Sequence, residues 1–176
     1  MTLSILVDVT CHSSFKTTVL LLFLCSLLCC AHEPVQLVPP STPLPNKRFV
    51  VVRDYNTTWN ALLRAVDDMK TAHVESFHKK TGTLVLEPVT VMMEAYCDCG
   101  SLGRNPLKGQ VRRQSVIKVK ANAPQETFLD ISCTYMTVYH WKDRHGKVMR
   151  KETIPCISNG RFEQELYHGL IRYMSP

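Results

Sequence analysis

The chain has 176 residues, 45% of them hydrophobic and 20% charged, and its 21 Lys and Arg against 15 Asp and Glu give a formal net charge of +6. That length supports one domain with a real core and excludes a string of several. The excess of cations suits anionic surfaces, without choosing by itself among nucleic acid, lipid head groups and cell-wall polymers.

In chain order, the first feature is Lys16 followed by an apolar run from Val19 to Leu28 and then by Cys29-Cys30-Ala31. The run is ten residues, the size of a signal-peptide core and well short of the ~20 that a helix needs to cross a bilayer. Residues 1–30 are therefore expected to be an export signal. Leu27-Leu28-Cys29-Cys30 resembles a lipobox, in which the last Cys becomes the acylated first residue, although that motif more often has Gly, Ala or Ser where Cys29 stands. Cys29-Cys30-Ala31 also offers the small residues of an ordinary cleavage site. Lipidation at Cys30 is the expectation and plain secretion the alternative. Asp8, with no cation before Lys16, is unusual for such a signal; a start assigned too far upstream accounts for it. Removal of the signal takes away Asp8 and Lys16 together, so the charge of +6 survives. Export argues against nucleic acid as a partner.

Residues 31–46 contain Pro34, Pro39, Pro40, Pro43 and Pro45 with almost no charge. Proline fixes φ and keeps the preceding residue out of the helical region, so an extended tether is expected here. Residues 47–176 form the expected domain. Lys47 to Arg53 is β-branched and reads as a strand. Asn56 or Thr57 can cap a helix in which Trp59, Leu62, Leu63, Val66 and Met69 make one apolar stripe. His73 to His78 and Leu84 to Met93 then form a hairpin, with Gly82 supplying a positive φ at the turn. Ser101 to Val111, with three glycines and a proline among its neighbours, reads as a loop. Arg112 to Lys120 and Thr127 to Trp141 are two longer strands, and a turn at Asp143-Arg144-His145-Gly146 leads to a shorter one ending near Thr153. Phe162, Leu166, Leu170 and Tyr173 give a last amphipathic helix. The order β-α-β-β-β-β-β-α points to an α+β fold, an antiparallel sheet of about five to six strands with two helices packed on one face.

Five cysteines lie beyond the signal's core: Cys30, Cys97, Cys99, Cys133 and Cys156. Cys133 falls in the alternation Leu129, Ile131, Cys133, Tyr135 and should point into the core as a small hydrophobe. In an exported protein, Cys97, Cys99 and Cys156 read as one disulfide and one spare thiol, with either Cys97 or Cys99 joined to Cys156. A zinc site is disfavoured because structural zinc ligand pairs usually have two to four residues between them, where Cys97 and Cys99 have one, and because an exported protein would be loaded in an oxidising compartment. No metal is expected.

No Gly-rich phosphate loop and no nucleophile elbow appears, so no cofactor is expected. The histidines are scattered: His73 and His78 fall on opposite faces of a strand, His140 and His145 flank a turn, and His168 sits on the last helix. Catalysis, a hydrolase above all, is therefore not expected. The cations are better organised. Arg104, Lys108, Arg112, Arg113, Lys118 and Lys120 occur between Gly100 and Gln125 without an acid, and Lys142, Arg144, Lys147, Arg150 and Lys151 follow in the next hairpin. They read as solvated faces and loops, or as a patch that meets anionic head groups, lipopolysaccharide phosphates or an acidic partner.

Val51 to Leu86, with its strand, its Asp54-Tyr55-x-x-x-Trp59 helix start and its Lys79-x-Thr81-Gly82-x-Leu84 hairpin, is similar to a theme in small proteobacterial envelope lipoproteins of the BamC-like kind. Tyr96-Cys97-Asp98-Cys99-Gly100, paired with Cys156 and Gly160-x-Phe162-Glu163, resembles a pattern in uncharacterised members of that group. The resemblance spans most of residues 48–172 and implies a helix laid across a sheet; it carries no catalytic residue. The expected function is a non-enzymatic lipoprotein of the Gram-negative cell envelope, facing the periplasm as an accessory, assembly or binding subunit. It would reach the membrane through its acyl anchor and engage an envelope complex or anionic head groups. The alternative is a secreted, disulfide-containing binding domain.

Overall fold

Side chains alternate strictly between the two sides along Gln110–Ala123 and Glu126–Lys142, and this alternation organises the whole molecule. The structure is a computed structural model and describes residues 36–174. The expected export signal, Cys30 and the first residues of the tether lie outside the described residues. In chain order the strands are β1 (Leu37–Val38), β2 (Arg48–Val51), β3 (Val74–His78), β4 (Thr83–Met92), β5 (Cys97–Asp98), β6 (Ser101–Leu102), β7 (Asn105–Pro106), β8 (Gln110–Ala123), β9 (Glu126–Lys142) and β10 (Val148–Ser158). The helices are α1 (Tyr55–Asp67), the single turn α2 (Met93–Tyr96) and α3 (Arg161–Met174).

The fold is α+β. A seven-stranded antiparallel sheet runs β3-β4-β8-β9-β10-β5, and β2 also pairs with β9. β9 is long enough to serve two partners along one edge: β2 takes Thr127 to Asp130, and β10 takes Tyr135 to Lys142. The six strands expected from the sequence are all present in the expected order. The seventh, β5, and the separate small sheet β1-β6-β7 are two-residue pairings within the segment that read as tether and loop. β10 also runs past Thr153, as far as Ser158.

Both long helices lie on one side of the sheet. Trp59, Leu62 and Val66 of α1 and Phe162, Leu166 and Leu170 of α3 are buried against Leu84, Leu86, Ile117, Val119, Leu129 and Ile131. The helices approach closely at Gly169, where an added Cβ would stand 3.4 Å from the Cβ of Ala65. Gly82 is needed twice over: its φ is +63, and a Cβ there would fall 2.0 Å from the carbonyl oxygen of Val119. The α1 N-cap is Asp54, one residue before the helix, rather than Asn56 or Thr57. Its carboxylate accepts from the Thr57 amide at 3.0 Å and from the Thr57 hydroxyl at 2.6 Å, and these bonds hold it below the usual carboxylate range.

The Pro-rich segment is extended, as its prolines require, but part of it belongs to the domain. Leu37 and Val38 pair with Leu102 and Ser101. The amides of Ser41 and Thr42 and the Thr42 hydroxyl all donate to Asp98 Oδ2, at 3.2, 3.3 and 2.7 Å. A free spacer therefore cannot extend through residue 46.

Trp59 is 1% exposed and Leu63 is half-buried at the edge of the same stripe. Trp59→Ala should cost roughly 3–5 kcal/mol, and Leu63→Ala no more than about 2. Thermal unfolding checks both. Equal losses of melting temperature would mean that the stripe is not packed as described.

Candidate functional site

The helices cover one face of the sheet; no described helix covers the other. Cross-strand rows on this open face follow from the register. Val50, Phe128 and Lys120 lie side by side, then Arg48, Asp130, Lys118 and Thr83. Further along come Ser132, Val116 and Val85, and then Pro155, Met136, Arg112 and Thr90. Large apolar side chains stand open to solvent among the cations: Val50, Met92, Met136 and Val138 are 41–54% exposed. Asp130 is the acid in the middle of the face, and it is taken. Arg48 donates to it through Nε at 2.7 Å and Nη2 at 3.0 Å, which raises the Arg48 pKa, and the same guanidinium lies 5.4 Å from the Phe128 ring. Arg112, Lys118 and Lys120 have no ion-pair partner among the described residues. Lys120 continues into a shallow groove of about 710 Å³ at one corner of the sheet, lined also by Tyr55, Lys79, Lys80, Thr81 and Gly82.

The six cations expected to act together are thus divided. Arg112, Lys118 and Lys120 share the open face. Arg104 and Lys108 are exposed in the segment around β7. Arg113 is not on the surface at all: it is 1% exposed. Consecutive residues of a strand face opposite ways, so Arg112 and Arg113 cannot share a face. Arg113 falls in the inner series Val111, Ser115, Ile117 and Val119, and the parity of that series was the signal that marks it as internal. Its guanidinium lies 3.6 Å from the Phe162 ring centroid, and Nη2 donates to the carbonyl of Thr71. Arg113 Nη1, Tyr135 Oη and Glu163 Oε1 are buried without a hydrogen-bond partner among the described residues; Glu163 Oε2 accepts from Ser158 Oγ at 3.0 Å. Sequence reading missed the exposed Val50, Met92, Met136 and Val138, which fall on the open face by the same parity rule.

The cysteines meet where β5 pairs with the base of β10. The register sets Cys97 opposite Ser158 and Asp98 opposite Ile157, so the next step brings Cys99 opposite Cys156. Cys99 and Cys156 form the disulfide, with Cα atoms 4.2 Å apart. Cys97 is the spare thiol; it is buried and its Sγ lies 3.8 Å from that of Cys99. Burial, then the charges of Asp98 and Glu94, pushes the Cys97 thiol up to about 12. Cys133 is half-buried on the inner face, 3.4 Å from Ser115 Oγ, and burial followed by Glu163 likewise raises it to about 12. Both shifts run opposite to the lowered pKa that activates a cysteine nucleophile. His73, His78, His140, His145 and His168 are all exposed.

No protein-family model matches the chain, and no curated protein matches it. No described helix is long and apolar enough to cross a membrane.

Arg113 and Arg112 give a paired test of the two faces. Arg113→Ala should cost at least about 2 kcal/mol, because it removes a desolvated cation–ring contact and leaves the Thr71 carbonyl without its donor. Arg112→Ala should stay within about 0.5 kcal/mol. Urea unfolding of both variants measures this, and similar losses would contradict the assignment of faces. For the disulfide, the sequence separation of 57 residues gives about 4 kcal/mol of stability lost on reduction in the chain-entropy model. Peptide mapping without reductant should find the Cys99–Cys156 cross-link in wild type and in Cys97→Ser. A Cys97–Cys156 peptide would contradict the pairing.

Proposed function

We propose that the chain is a non-enzymatic envelope lipoprotein of the periplasm, acylated at Cys30, which acts as a binding or assembly subunit and turns the open sheet face toward anionic groups at the membrane. The observation that carries this reading is the one-sided sheet: three cations without an ion-pair partner among the described residues lie among exposed Val and Met side chains on the face opposite the helices. The Cys99–Cys156 disulfide supports an oxidising compartment. Raised thiol pKa values at Cys97 and Cys133 favour a binding role over nucleophilic catalysis by a cysteine. The likeness to BamC-like lipoproteins at Asp54, Tyr55, Trp59 and Gly82 belongs to the same proposal.

Magnitudes divide the work between anchor and face. A cation near an anionic surface contributes about 1 kcal/mol, so Arg112, Lys118 and Lys120 together give about 3 kcal/mol, or about a hundredfold in affinity. Acyl chains contribute about 0.8 kcal/mol per buried methylene, far more in sum. Retention then depends on Cys30, and the face orients the domain and selects its partner.

Cell fractionation tests the anchor: wild type should stay in the membrane pellet through a high-salt wash, and Cys30→Ser should leave it. Retention of the Ser variant would sink the anchor. The face is tested with purified Cys30→Ser protein and vesicles containing phosphatidylglycerol. Combining Arg112→Gln, Lys118→Gln and Lys120→Gln should weaken co-sedimentation about a hundredfold at low salt. Binding unchanged by the triple substitution would rule out this face; a freely soluble wild type would favour the secreted alternative.

A further inference from the structure

The proposed function makes no use of the third sulfur beside the disulfide. Cys97 in β5 and Cys99 just past its end are two residues apart, and the pairing of β5 with β10, continued by the disulfide, brings Cys156 beside them. The three Sγ atoms all lie within 4.8 Å of one another. Around them are Val91, Met93, Val111 and Tyr135, buried, with Leu107 packed against the cluster.

We propose that Cys97, Cys99 and Cys156 form, once the Cys99–Cys156 bond is reduced, a three-thiolate site for one Cu(I) ion. Three sulfurs held about 2.3 Å from a single ion stand about 4 Å from one another. The Cys97–Cys99 pair already has this spacing, at 3.8 Å. Reduction frees Cys99 and Cys156 to take it up as well. The donor set decides the metal. Zn(II) in a structural site needs a fourth protein ligand, and among the described residues no His, Asp or Glu joins the three sulfurs. The nearest carboxylate in sequence, Asp98, is already held by Ser41, Thr42 and Gly100. Soft thiolates alone, in an apolar shell that holds the Met93 thioether, suit Cu(I).

The chemistry balances in two steps. A dithiol reductant gives two electrons and two protons to the Cys99–Cys156 bond, becomes a disulfide itself, and leaves three thiols. Cu(I) then replaces three protons, which leave to solvent, and forms three Cu–S bonds. The copper does not change oxidation state. The disulfide therefore acts as a gate that keeps the site closed under oxidising conditions.

The test uses the full chain in detergent with Cys11, Cys25, Cys29 and Cys30 replaced by Ser, so that only the domain's cysteines remain. Reduced protein is titrated with Cu(I) in competition with bathocuproine disulfonate, after circular dichroism has shown that its β signal survives reduction. Expected are one Cu(I) per chain, a thiolate-to-copper charge-transfer band in the near ultraviolet, and three sulfurs at about 2.3 Å by X-ray absorption. The disulfide-bonded form should bind none. Cys97→Ser should weaken binding at least tenfold, and Cys133→Ser should leave it unchanged. Equal affinity in Cys97→Ser, equal binding by the oxidised protein, or a reduced chain that unfolds before copper is added would each overturn the proposal.

Discussion

Pleating sends alternate residues of β8 and β9 to opposite sides, and the helices α1 and α3 can cover only one of them. On the covered side Ile117, Val119, Leu129 and Ile131 lie under Trp59, Leu62, Phe162 and Leu166, and the apolar area removed from water there drives folding. The uncovered side is left with whatever even-numbered residues the strands carry. In this chain those include Arg112, Lys118, Lys120, Met136 and Val138. The same constraint that builds the core therefore builds the surface offered to a partner. Any substitution that shifts the β8–β9 register by one residue would exchange the two faces and lose both.

The inner face is not uniformly apolar, and its polar residues sit together. Arg113, Tyr135, Ser158 and Glu163 are buried at the end of the sheet where α3 begins. Arg113 gains the Phe162 ring and the Thr71 carbonyl, and so ties the start of α3 and the segment after α1 to the first part of β8. Burying polar groups that are only partly paired costs stability, so this junction is held against its own electrostatics by the hydrophobic cluster beside it. The junction also defines one geometry for α3 on the sheet.

Legibility in the sequence followed the length over which a pattern repeats. β8, β9, α1 and α3 each show several periods of alternation or of helical spacing, and they were readable as elements of an α+β fold. The pairs β1, β5, β6 and β7 have two residues each; no period exists in two residues, and their formation depends on partners far along the chain. For the same reason the choice between Cys97 and Cys99 was not readable: it is set by the register of β5 on β10, some sixty residues apart. Arg113 is a different case. The alternation is visible along β8, and it sends Arg112 and Arg113 to opposite sides although they are neighbours in the cation-rich segment. The Asp54 cap is not legible in the sequence because Asn56 and Thr57 are equally good capping types, and only the backbone at Asp54, extended where Tyr55 is helical, separates them.

The triplet Cys97-Asp98-Cys99 joins two fastenings by the same alternation. Its two cysteines face Cys156, while Asp98 faces the other way and receives Ser41 and Thr42. One short stretch thus pins the base of β10 from one side and the end of the Pro-rich segment from the other. The Thr42 hydroxyl, with the Gly100 amide next, holds the Asp98 carboxyl below the usual carboxylate range. A pKa lower in the folded than in the unfolded chain stabilises the fold above the unfolded value and loses that contribution as pH falls through the folded value. Acid therefore loosens the hold on the Pro-rich segment while leaving the disulfide untouched, and reduction acts on the disulfide first. The two fastenings answer to different chemistry although one residue separates them.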